Sequence, residues 1–303
     1  MQNFYTSLDY QDLLVVTGED NEKFLQGQLT CDLDNLSDGQ CVLGAACNTK
    51  GRVYSSFRVL KHDKAFYLVM QPGLADATTT TLKKYIPFYK AEMADASSRF
   101  QRLGLAGEEA LEQLGKLTPA LPEAGNSLAV DGAILINLGG TIPRFEIWSE
   151  NGGSTLFTTS EKLQEASRTD WQALDLAEGI FLINQDDIEK YTPEEMNMDL
   201  AGFISFDKGC YTGQEIVARM HYRGKAGKRL FVVTLESPSE LTENTLVNTS
   251  DKALGIITNI LYLKDNIVKS FAVLKADINL AEDCYLKNGE TTIPVTITPL
   301  PAS

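Results

Sequence analysis

The chain has 303 residues, of which 43% are hydrophobic and 22% are charged, as expected for a globular protein of about two domains. Its formal net charge of −14 opposes binding to nucleic acid over the whole surface. No apolar run approaches the ~18 residues of a membrane-spanning helix, and the N-terminus lacks the basic flank of a secretory signal. Five scattered cysteines and two histidines, without C-x-x-C spacing, argue against a disulfide framework and a zinc or iron–sulfur site. We therefore expect a cytoplasmic protein without a metal site or a membrane segment.

Hydrophobic periodicity near the N-terminus predicts one strand, one helix and then several antiparallel strands. A β-rich run over 13–17 is followed by helical spacing over 19–29. Strands are predicted over 41–47, 53–60 and 65–70, joined by short turns. This order of elements favours an α+β fold over a doubly wound parallel sheet.

The middle of the chain is predicted to alternate helices with short strands. Helices are expected over 74–85, 108–117 and 160–168, strands over 87–94, 99–105, 132–138, 144–149 and 154–158, and a loop over 119–126. A further helix over 171–179 would be capped by Asp170 and would end at Glu178 beside Gly179. The polar segment 184–199 is long for a loop in a compact domain, and such loops are often functional.

Residues 224–228 (GKAGK) have the composition of a linker, and the pattern after them is typical of strands alone. These strands are predicted over 229–235, 245–248, 253–258, 260–263, 267–275, 284–287 and 291–298. Many short strands separated by turn residues indicate a small antiparallel barrel. We therefore divide the chain into an α+β core over 1–224 and a barrel domain over 229–303.

The most informative stretch is FISFDKGCYTGQEIVAR (203–219), in which an apolar run ends in a turn with two glycines. Thr212 and Glu215 have the spacing of a capping box, so a helix is predicted to begin just after Cys210. The helix N-terminus and the nearby Lys208 would both favour a thiolate, which makes Cys210 a candidate reactive thiol. The alternative is that Cys210 packs under the turn as a small apolar residue.

The segment from Lys208 to Arg229 contains six Lys or Arg residues and one acid, in contrast to the acidic chain as a whole. It is either a solvated helix and loop or a local anion site. As an anion site it would meet an anionic ligand, an acidic protein partner or a short stretch of RNA.

The octapeptide KGCYTGQE (208–215) resembles the signature of the YgfZ family of folate-binding proteins, relatives of the glycine-cleavage T-protein, an aminomethyltransferase. Three other segments are similar to the family in the same order: FLQGQLTCD (24–32), NTKGR (48–52) and WQALDLAEG (171–179). The similarity covers about residues 8–230 and extends more loosely over the rest. It implies interlocked α+β subdomains that bind folate, followed by the barrel.

The resemblance also implies which residues contact the cofactor, tetrahydrofolate or a one-carbon derivative of it. Glu178 is expected to accept hydrogen bonds from the pterin, because a carboxylate matches two adjacent N–H donors. Trp171 would offer a flat face to an aromatic ring, or else belong to the core. Some family members have a second tryptophan near the N-terminus, where this chain offers Tyr10 as an aromatic wall. Arg223, in the basic segment, would meet the glutamate tail.

One departure from the T-protein bears on whether the chain is an enzyme. The T-protein has an aspartate pair in the strand after its glycine turn, and one of the pair serves catalysis. Here residues 52–58 read RVYSSFR and contain no carboxylate. Aminomethyl transfer needs a proton acceptor or electrostatic partner near the reacting nitrogen, and Ser55 or Ser56 cannot supply charge. Glycine-cleavage aminomethyltransferase activity is therefore disfavoured, and enzymatic activity in general stays open.

The resemblance implies an accessory protein that supports the assembly or repair of iron–sulfur clusters in client enzymes, such as a tRNA methylthiotransferase, and thereby tRNA modification. In this hypothesis Cys210 handles sulfur, iron or a one-carbon unit transiently. The alternative is a folate-dependent one-carbon transferase or demethylase that acts on an amine. Direct tRNA binding through residues 208–229 is a third hypothesis, which the negative net charge disfavours.

Overall fold

The computed structural model describes residues 3–150, 162–223 and 226–300, which form two β-sheets and a closed β-barrel. The strands are β1 Phe4–Ser7, β2 Asp12–Thr17, β3 Cys41–Cys47, β4 Val53–His62, β5 Ala65–Met70, β6 Glu92–Asp95, β7 Phe100–Ala106, β8 Asn126–Val130, β9 Ala133–Asn137, β10 Arg144–Glu150, β11 Gln164–Glu165, β12 Lys228–Glu236, β13 Thr245–Asn248, β14 Ala253–Tyr262, β15 Ile267–Lys275, β16 Cys284–Asn288 and β17 Thr291–Pro299. The α-helices are α1 Asn21–Gln26, α2 Ala75–Leu82, α3 Glu108–Leu117, α4 Arg168–Ala177 and α5 Gln214–Arg223, and 3₁₀ turns cover Ile86–Phe88, Gln185–Asp187, Glu194–Met196 and Lys264–Asn266.

The two sheets are interlocked along the chain. The first sheet has the order β3-β4-β5-β2-β6, and the second has the order β11-β1-β7-β10-β9-β8. The chain starts in the second sheet with β1, builds the first sheet with β2 to β6, and then returns to the second with β7 to β10. This confirms the predicted α+β fold of interlocked subdomains, and the closed order β12-β15-β14-β13-β16-β17 confirms the C-terminal antiparallel barrel.

Local sequence explains the first sheet. β5 (AFYLVM) is apolar throughout and buried at every position, and β4 is buried over its first eight residues, so both strands have covered faces. The two strands are joined by a tight turn at Asp63 and Lys64, which both have positive φ, the geometry of a type I′ hairpin. β4 is an interior strand of this sheet, and the second sheet, the helices and the loop 184–199 contact its buried residues.

The barrel packs against the core. Leu230, Leu261, Phe271 and Val273 from the barrel are buried in the same apolar cluster as the first sheet. The Phe271 ring meets the Phe181 ring edge-on, with the centroids 5.1 Å apart. The barrel and the core thus share one hydrophobic interface.

Several element predictions were wrong because tertiary pairing overrode local pattern. The described part of 160–168 contains β11 instead of a helix, because residues 164 and 165 pair in parallel with β1. The predicted loop 119–126 runs into β8, which pairs with β9, and 87–94 is divided into a 3₁₀ turn started at Pro87 and the edge strand β6. The predicted strand 154–158 lies outside the described residues.

Two further predictions were correct in kind but not in detail. The helix over 171–179 is α4, and its cap is Ser167, whose side chain forms a capping box with Asp170. Asp170 is therefore the third residue of the helix and not its cap. The predicted strands 253–258 and 260–263 are one strand, β14, with a bulge between Thr258 and Leu261.

Candidate functional site

Lys208 anchors the KGCYTGQE stretch to the segment that follows α1. Its buried ammonium donates to the carbonyl oxygens of Gln26, Leu29 and Cys31 at 2.9, 2.7 and 2.6 Å. These bonds use all three N–H donors of the group. Burial lowers the pKa of Lys208 to about 8. Lys208 therefore joins two distant parts of the chain, and its predicted effect on the Cys210 thiol as a nearby cation stays a prediction.

Thr212 strengthens the same junction. Its N–H donates to the Gly27 carbonyl at 3.1 Å, and its hydroxyl donates to Gln28 Oε1 at 3.0 Å. The hydroxyl is thus used in a tertiary contact instead of the predicted capping box with Glu215. The helix begins at Gln214.

The NTKGR turn completes the convergence of the motifs. Gly213 has a φ of +86°, and a Cβ at this position would lie 2.5 Å from the Asn48 carbonyl oxygen. A Cβ at Gly51 would lie 2.8 Å from a methyl group of Ile216. The segments 24–32, 48–52 and 208–215, far apart in sequence, therefore meet at the start of α5.

Cys210 is exposed at this junction. Cys31, Cys47 and Cys284 are buried and Cys41 is partly buried, and all five cysteines are free thiols. Burial raises the pKa of the Cys31, Cys41 and Cys47 thiols to about 12, so these groups stay protonated near neutral pH. Cys210 is the exposed thiol of the chain, open to a partner or a reagent, so it is not packed under the turn.

A buried ion network lies between the two sheets, and the sequence analysis missed it. Arg58 on β4 donates to Glu146 on β10 and, at 3.1 Å, to Asp175 on α4. Arg144 donates to the other oxygen of Asp175 at 2.8 Å, and Trp148 Nε1 donates to Glu146 at 2.9 Å. Burial alone would lower the pKa of Arg58, but the carboxylates of Asp175 and Glu146 outweigh it and raise that pKa. The network keeps four charged groups paired in the interior.

Two cavities flank this network, and Ile180 lines both of them. The larger, of about 240 Å³, lies between α4 and the barrel and includes Asp175 in its wall. The smaller, of about 100 Å³, lies between the sheets and includes Arg58 and Arg144. Each is below the roughly 300 Å³ at which ligand pockets usually begin. A ligand of ordinary size would therefore need both cavities, with Ile180 in contact with each part.

A wider groove of about 700 Å³ lies at the edge of the second sheet, near Phe4, Gln164 and Tyr262. None of its lining residues belongs to a motif segment, whereas the larger cavity beside Ile180 is lined by Gln172 and Asp175 of the segment 171–179. We therefore place the candidate ligand site at the two cavities beside Ile180.

Glu178 is the C-cap of α4 and is partly buried beside the second sheet. Its Oε1 accepts from the Thr141 N–H at 2.6 Å. A Cβ at Gly140 would lie 3.2 Å from this carboxylate oxygen and 3.3 Å from Arg144 Nε. Glu178 thus sits next to Arg144, at the margin of the smaller cavity, without lining it. Its predicted contact with a pterin stays a prediction.

Trp171 is fully buried, which favours the core role of the two that the sequence allowed. Its ring covers Gly104 so closely that a Cβ there would lie 2.7 Å from the ring edge. Phe4, Leu8 and Ala106 complete its surroundings. The indole is therefore not available as a stacking face, and this part of the predicted site is corrected.

Tyr10 is partly buried, and Arg168 lies over its ring at 6.0 Å from the centroid. Burial raises the pKa of Tyr10, so its hydroxyl stays neutral. Tyr10 thus contacts a cation that lines the larger cavity, and its role as an aromatic ligand wall stays a prediction. Arg223 is the last residue of α5, but its side chain lies outside the described part of the chain.

The hydroxyl groups of β4 are committed to structure. Ser56 accepts from the Ile183 N–H at 2.9 Å, and Ser55 accepts from the Thr78 hydroxyl at 2.8 Å, with both serines fully buried. This agrees with the expectation that neither serine replaces a catalytic aspartate.

A sequence signal for the missed network existed. Arg58 lies between the apolar residues Phe57 and Val59, and Arg144 and Glu146 alternate with large apolar residues over 144–148. Charged residues inside strands with two covered faces are seldom tolerated unless they are paired. Their partners, however, could not be identified without the fold.

Among the described residues, no group of three or more His, Cys, Asp or Glu side chains is placed to hold a metal ion. In the same ranges no helix has both the length and the apolar character needed to cross a membrane.

Two interlocked sheets and a C-terminal barrel are also the architecture of a known enzyme. The crystal structure of the glycine cleavage system aminomethyltransferase T from Bartonella henselae superposes with a TM-score of 0.79, covering 99% of this chain and 86% of that one. The identity is 15%, so this likeness concerns the fold. Residues 11–127 match the GCVT N-terminal domain family. The protein is thus of the aminomethyltransferase T fold class.

Curated relatives show to which family within this fold class the chain belongs. The tRNA-modifying protein YgfZ of Klebsiella pneumoniae (strain 342) is 31% identical over 98% of this chain and 92% of its own. The protein of the same name from Edwardsiella ictaluri (strain 93-146) is 32% identical, over 95% and 89% respectively. The chain belongs to the YgfZ family, which confirms the resemblance seen in its motifs.

Proposed function

We propose that this protein binds tetrahydrofolate, or a one-carbon derivative of it, and supports tRNA modification by maintaining iron–sulfur clusters in client enzymes. The observation that carries the proposal is the similarity, over nearly the whole chain, to relatives named tRNA-modifying protein YgfZ. A client would be an enzyme such as a tRNA methylthiotransferase, and the protein would act in the cytoplasm.

The residues around Ile180 suit the chemistry of a folate. The smaller cavity combines apolar walls from Leu43 and Leu138 with two guanidinium groups, and Arg58 Nε is a buried donor without a partner among the described residues. Such a donor favours a ligand that brings an acceptor atom. The Glu178 carboxylate at its margin would accept from an amino group, and the Thr141 N–H holds this carboxylate in place. The folate itself would supply a carried one-carbon unit.

The contacts of β4 argue against an aminomethyltransferase mechanism for this chain. Both serines at the relevant strand positions already hold neighbouring groups, and no carboxylate replaces them. Any chemistry that the protein carries out on a partner enzyme would use Cys210, because its thiol is exposed. We propose that it accepts sulfur, iron or a one-carbon unit transiently during repair of a client.

The folate site is tested by isothermal titration of the purified protein with tetrahydrofolate. We expect saturable binding that weakens about tenfold or more in Glu178→Ala, because a charge-assisted hydrogen bond is lost. Glu92→Ala, which removes an exposed carboxylate at the edge of the first sheet, is the control. Calorimetry is preferable to fluorescence, because both tryptophans are fully buried in the core. Absence of binding in the parent protein would reject the folate proposal.

The cellular role is tested in a bacterial strain that lacks its own family member. The parent protein should restore tRNA thiolation, and Cys210→Ala should fail to do so while it still binds tetrahydrofolate. Cys284→Ala, which removes a thiol from the barrel, should restore thiolation. Full rescue by Cys210→Ala would exclude a role for this thiol.

A further inference from the structure

The cavity between α4 and the barrel, called here the α4–barrel cavity, changes in character from its floor to its rim. Leu182, Leu261 and Phe271 form an apolar and nearly fully buried floor. Gln71 and Gln172 line a side and share one long hydrogen bond of 3.4 Å, which leaves amide donors and acceptors for a ligand. Arg168 stands at the rim. A matching ligand has an apolar ring, an amide and an anionic end.

Arg168 is exposed and, within the described ranges, has no carboxylate partner. Other arginines that line cavities do have carboxylate partners: Arg58 and Arg144 pair with Asp175, and Arg229 pairs with Asp199. The two carboxylates on α4 nearest to Arg168 are already engaged. Asp170 accepts from Ser167 as part of the capping box, and Asp175 is held by two arginines. The charge of Arg168 is therefore free for a ligand.

Helix stability does not explain a cation at this position. Arg168 is the first residue of α4, where the positive end of the helix dipole disfavours a basic side chain. The guanidinium lines the cavity and lies 6.0 Å from the centroid of the Tyr10 ring, which favours this position of the cation. An aromatic support and an unfavourable helix position together indicate a side chain that is placed for binding.

We propose that Arg168 binds the terminal carboxylate of the ligand and that the α4–barrel cavity takes the ligand's aminobenzoylglutamate half. The inference rests on the proposed folate function. It assigns the anionic end to a residue of α4 in place of Arg223, which the sequence analysis favoured. The apolar floor takes the benzoyl ring, the glutamine side takes the amide, and Arg168 pairs with the carboxylate. Arg168 is thus a specificity residue for the tail.

The test compares two ligands in calorimetry: tetrahydrofolate, and a tetrahydropterin that lacks the aminobenzoylglutamate. Arg168→Gln should weaken tetrahydrofolate binding about tenfold, the effect of losing one charged hydrogen-bonded pair, and should leave the tetrahydropterin within about twofold. Arg168→Lys should recover part of the loss. Lys116→Gln, which removes one positive charge from an exposed pair on α3, should bind both ligands like the parent.

Salt provides a second readout that a merely structural role would not change. Raising the salt concentration should weaken tetrahydrofolate binding to the parent protein more than to Arg168→Gln, because the rim pair is solvent-exposed and screened. Equal tetrahydrofolate affinity in Arg168→Gln and the parent would overturn the inference while folate binding stands. Equal losses for both ligands would also overturn it. Failure of the parent to bind either ligand would instead reject the proposed function, and the inference with it.

Discussion

The buried carboxyl group of Glu194 makes the stability of this protein depend on pH. It lies in a 3₁₀ turn that packs beside α5, is 2% exposed, and has no hydrogen-bond partner for either oxygen among the described residues. Burial, with a smaller contribution from Asp199, raises its pKa to about 7, although Arg229 opposes the shift. The neutral acid is therefore the form that the fold prefers.

We expect the free energy of unfolding to fall as the pH rises from about 4.5 to about 7. Over this range the folded protein retains a proton that the unfolded chain has released, so each step upward in pH favours unfolding. The shift corresponds to roughly 3 kcal/mol at most. Urea unfolding of Glu194→Gln should show equal stability near pH 4.5 and higher stability near pH 8 than the parent. Glu92→Gln is the control, and an unchanged pH dependence in Glu194→Gln would contradict the prediction.

At the residue scale, the sequence could identify which side chains are important, but their roles were harder to predict. Lys208 was singled out by its motif, but its three carbonyl acceptors lie 182, 179 and 177 positions away in the chain. Trp171 was likewise singled out, and its partner Gly104 lies in another element. A role set by contacts so distant in sequence has no local signature.

At the element scale, the start of α5 depends on glycines that admit a neighbouring backbone. Gly213 combines a φ of +86° with contact distances of 2.5 Å to the Asn48 oxygen and 3.0 Å to Cys47 Cβ for an added methyl group. Gly289, in the β16–β17 turn, has a φ of +64° but nothing within 4 Å of that position. A comparison of the two sites therefore distinguishes the energetic cost of backbone strain from the cost of steric overlap.

Gly213→Ala is expected to lower the free energy of unfolding by about 3 kcal/mol, and Gly289→Ala by about 1 kcal/mol. Both substitutions force an L-residue into the left-handed region, but only the first also pushes the NTKGR turn away from α5. Chemical denaturation of both variants measures the difference. Equal losses would mean that the motif segments are less tightly packed than the distances indicate.

Most helices and strands could be predicted because their patterns are local. β5 and α3 were predicted with the observed bounds, and the barrel strands differ mainly by one or two residues at their ends. Two of the failures, β1 and β11, are strands whose partners lie far away in the chain. The third, β8, is a short, largely exposed strand that pairs with β9 directly after it. A short strand with a weak pattern is stabilised by its neighbours in the sheet, so its own residues do not reveal it.

At the scale of the whole molecule, the ion network joins units that the chain order keeps apart. Arg58 belongs to the first sheet, Glu146 to the second, and Asp175 to α4, which lines the α4–barrel cavity. Removal of the arginine would leave two carboxylates in a largely water-free interior. The network therefore holds the interlocked sheets in register around the two cavities.

Arg58→Met should lower the free energy of unfolding by about 3–5 kcal/mol, the usual cost of breaking a buried pair by removing one partner. Lys116→Met, which breaks an exposed pair on α3, should cost at most about 0.5 kcal/mol. The double variant Arg58→Met with Glu146→Gln should recover part of the loss. Urea unfolding measures all three, and a loss below about 1 kcal/mol in Arg58→Met would show that the network is dispensable.

The sequence by itself determined the fold class, the barrel and the family, and it singled out Cys210 as a candidate, because periodicity, turn residues and an uninterrupted motif are local properties. Only the tertiary structure decided that Lys208 is an anchor, that Trp171 is core, that Arg58, Glu146 and Asp175 form one network, and that Arg168 is an unpaired cation over a cavity. The physical reason is that charge pairing and burial depend on which residues meet across sheets and helices. Such neighbours can lie 182 positions apart in sequence, as Lys208 and Gln26 do.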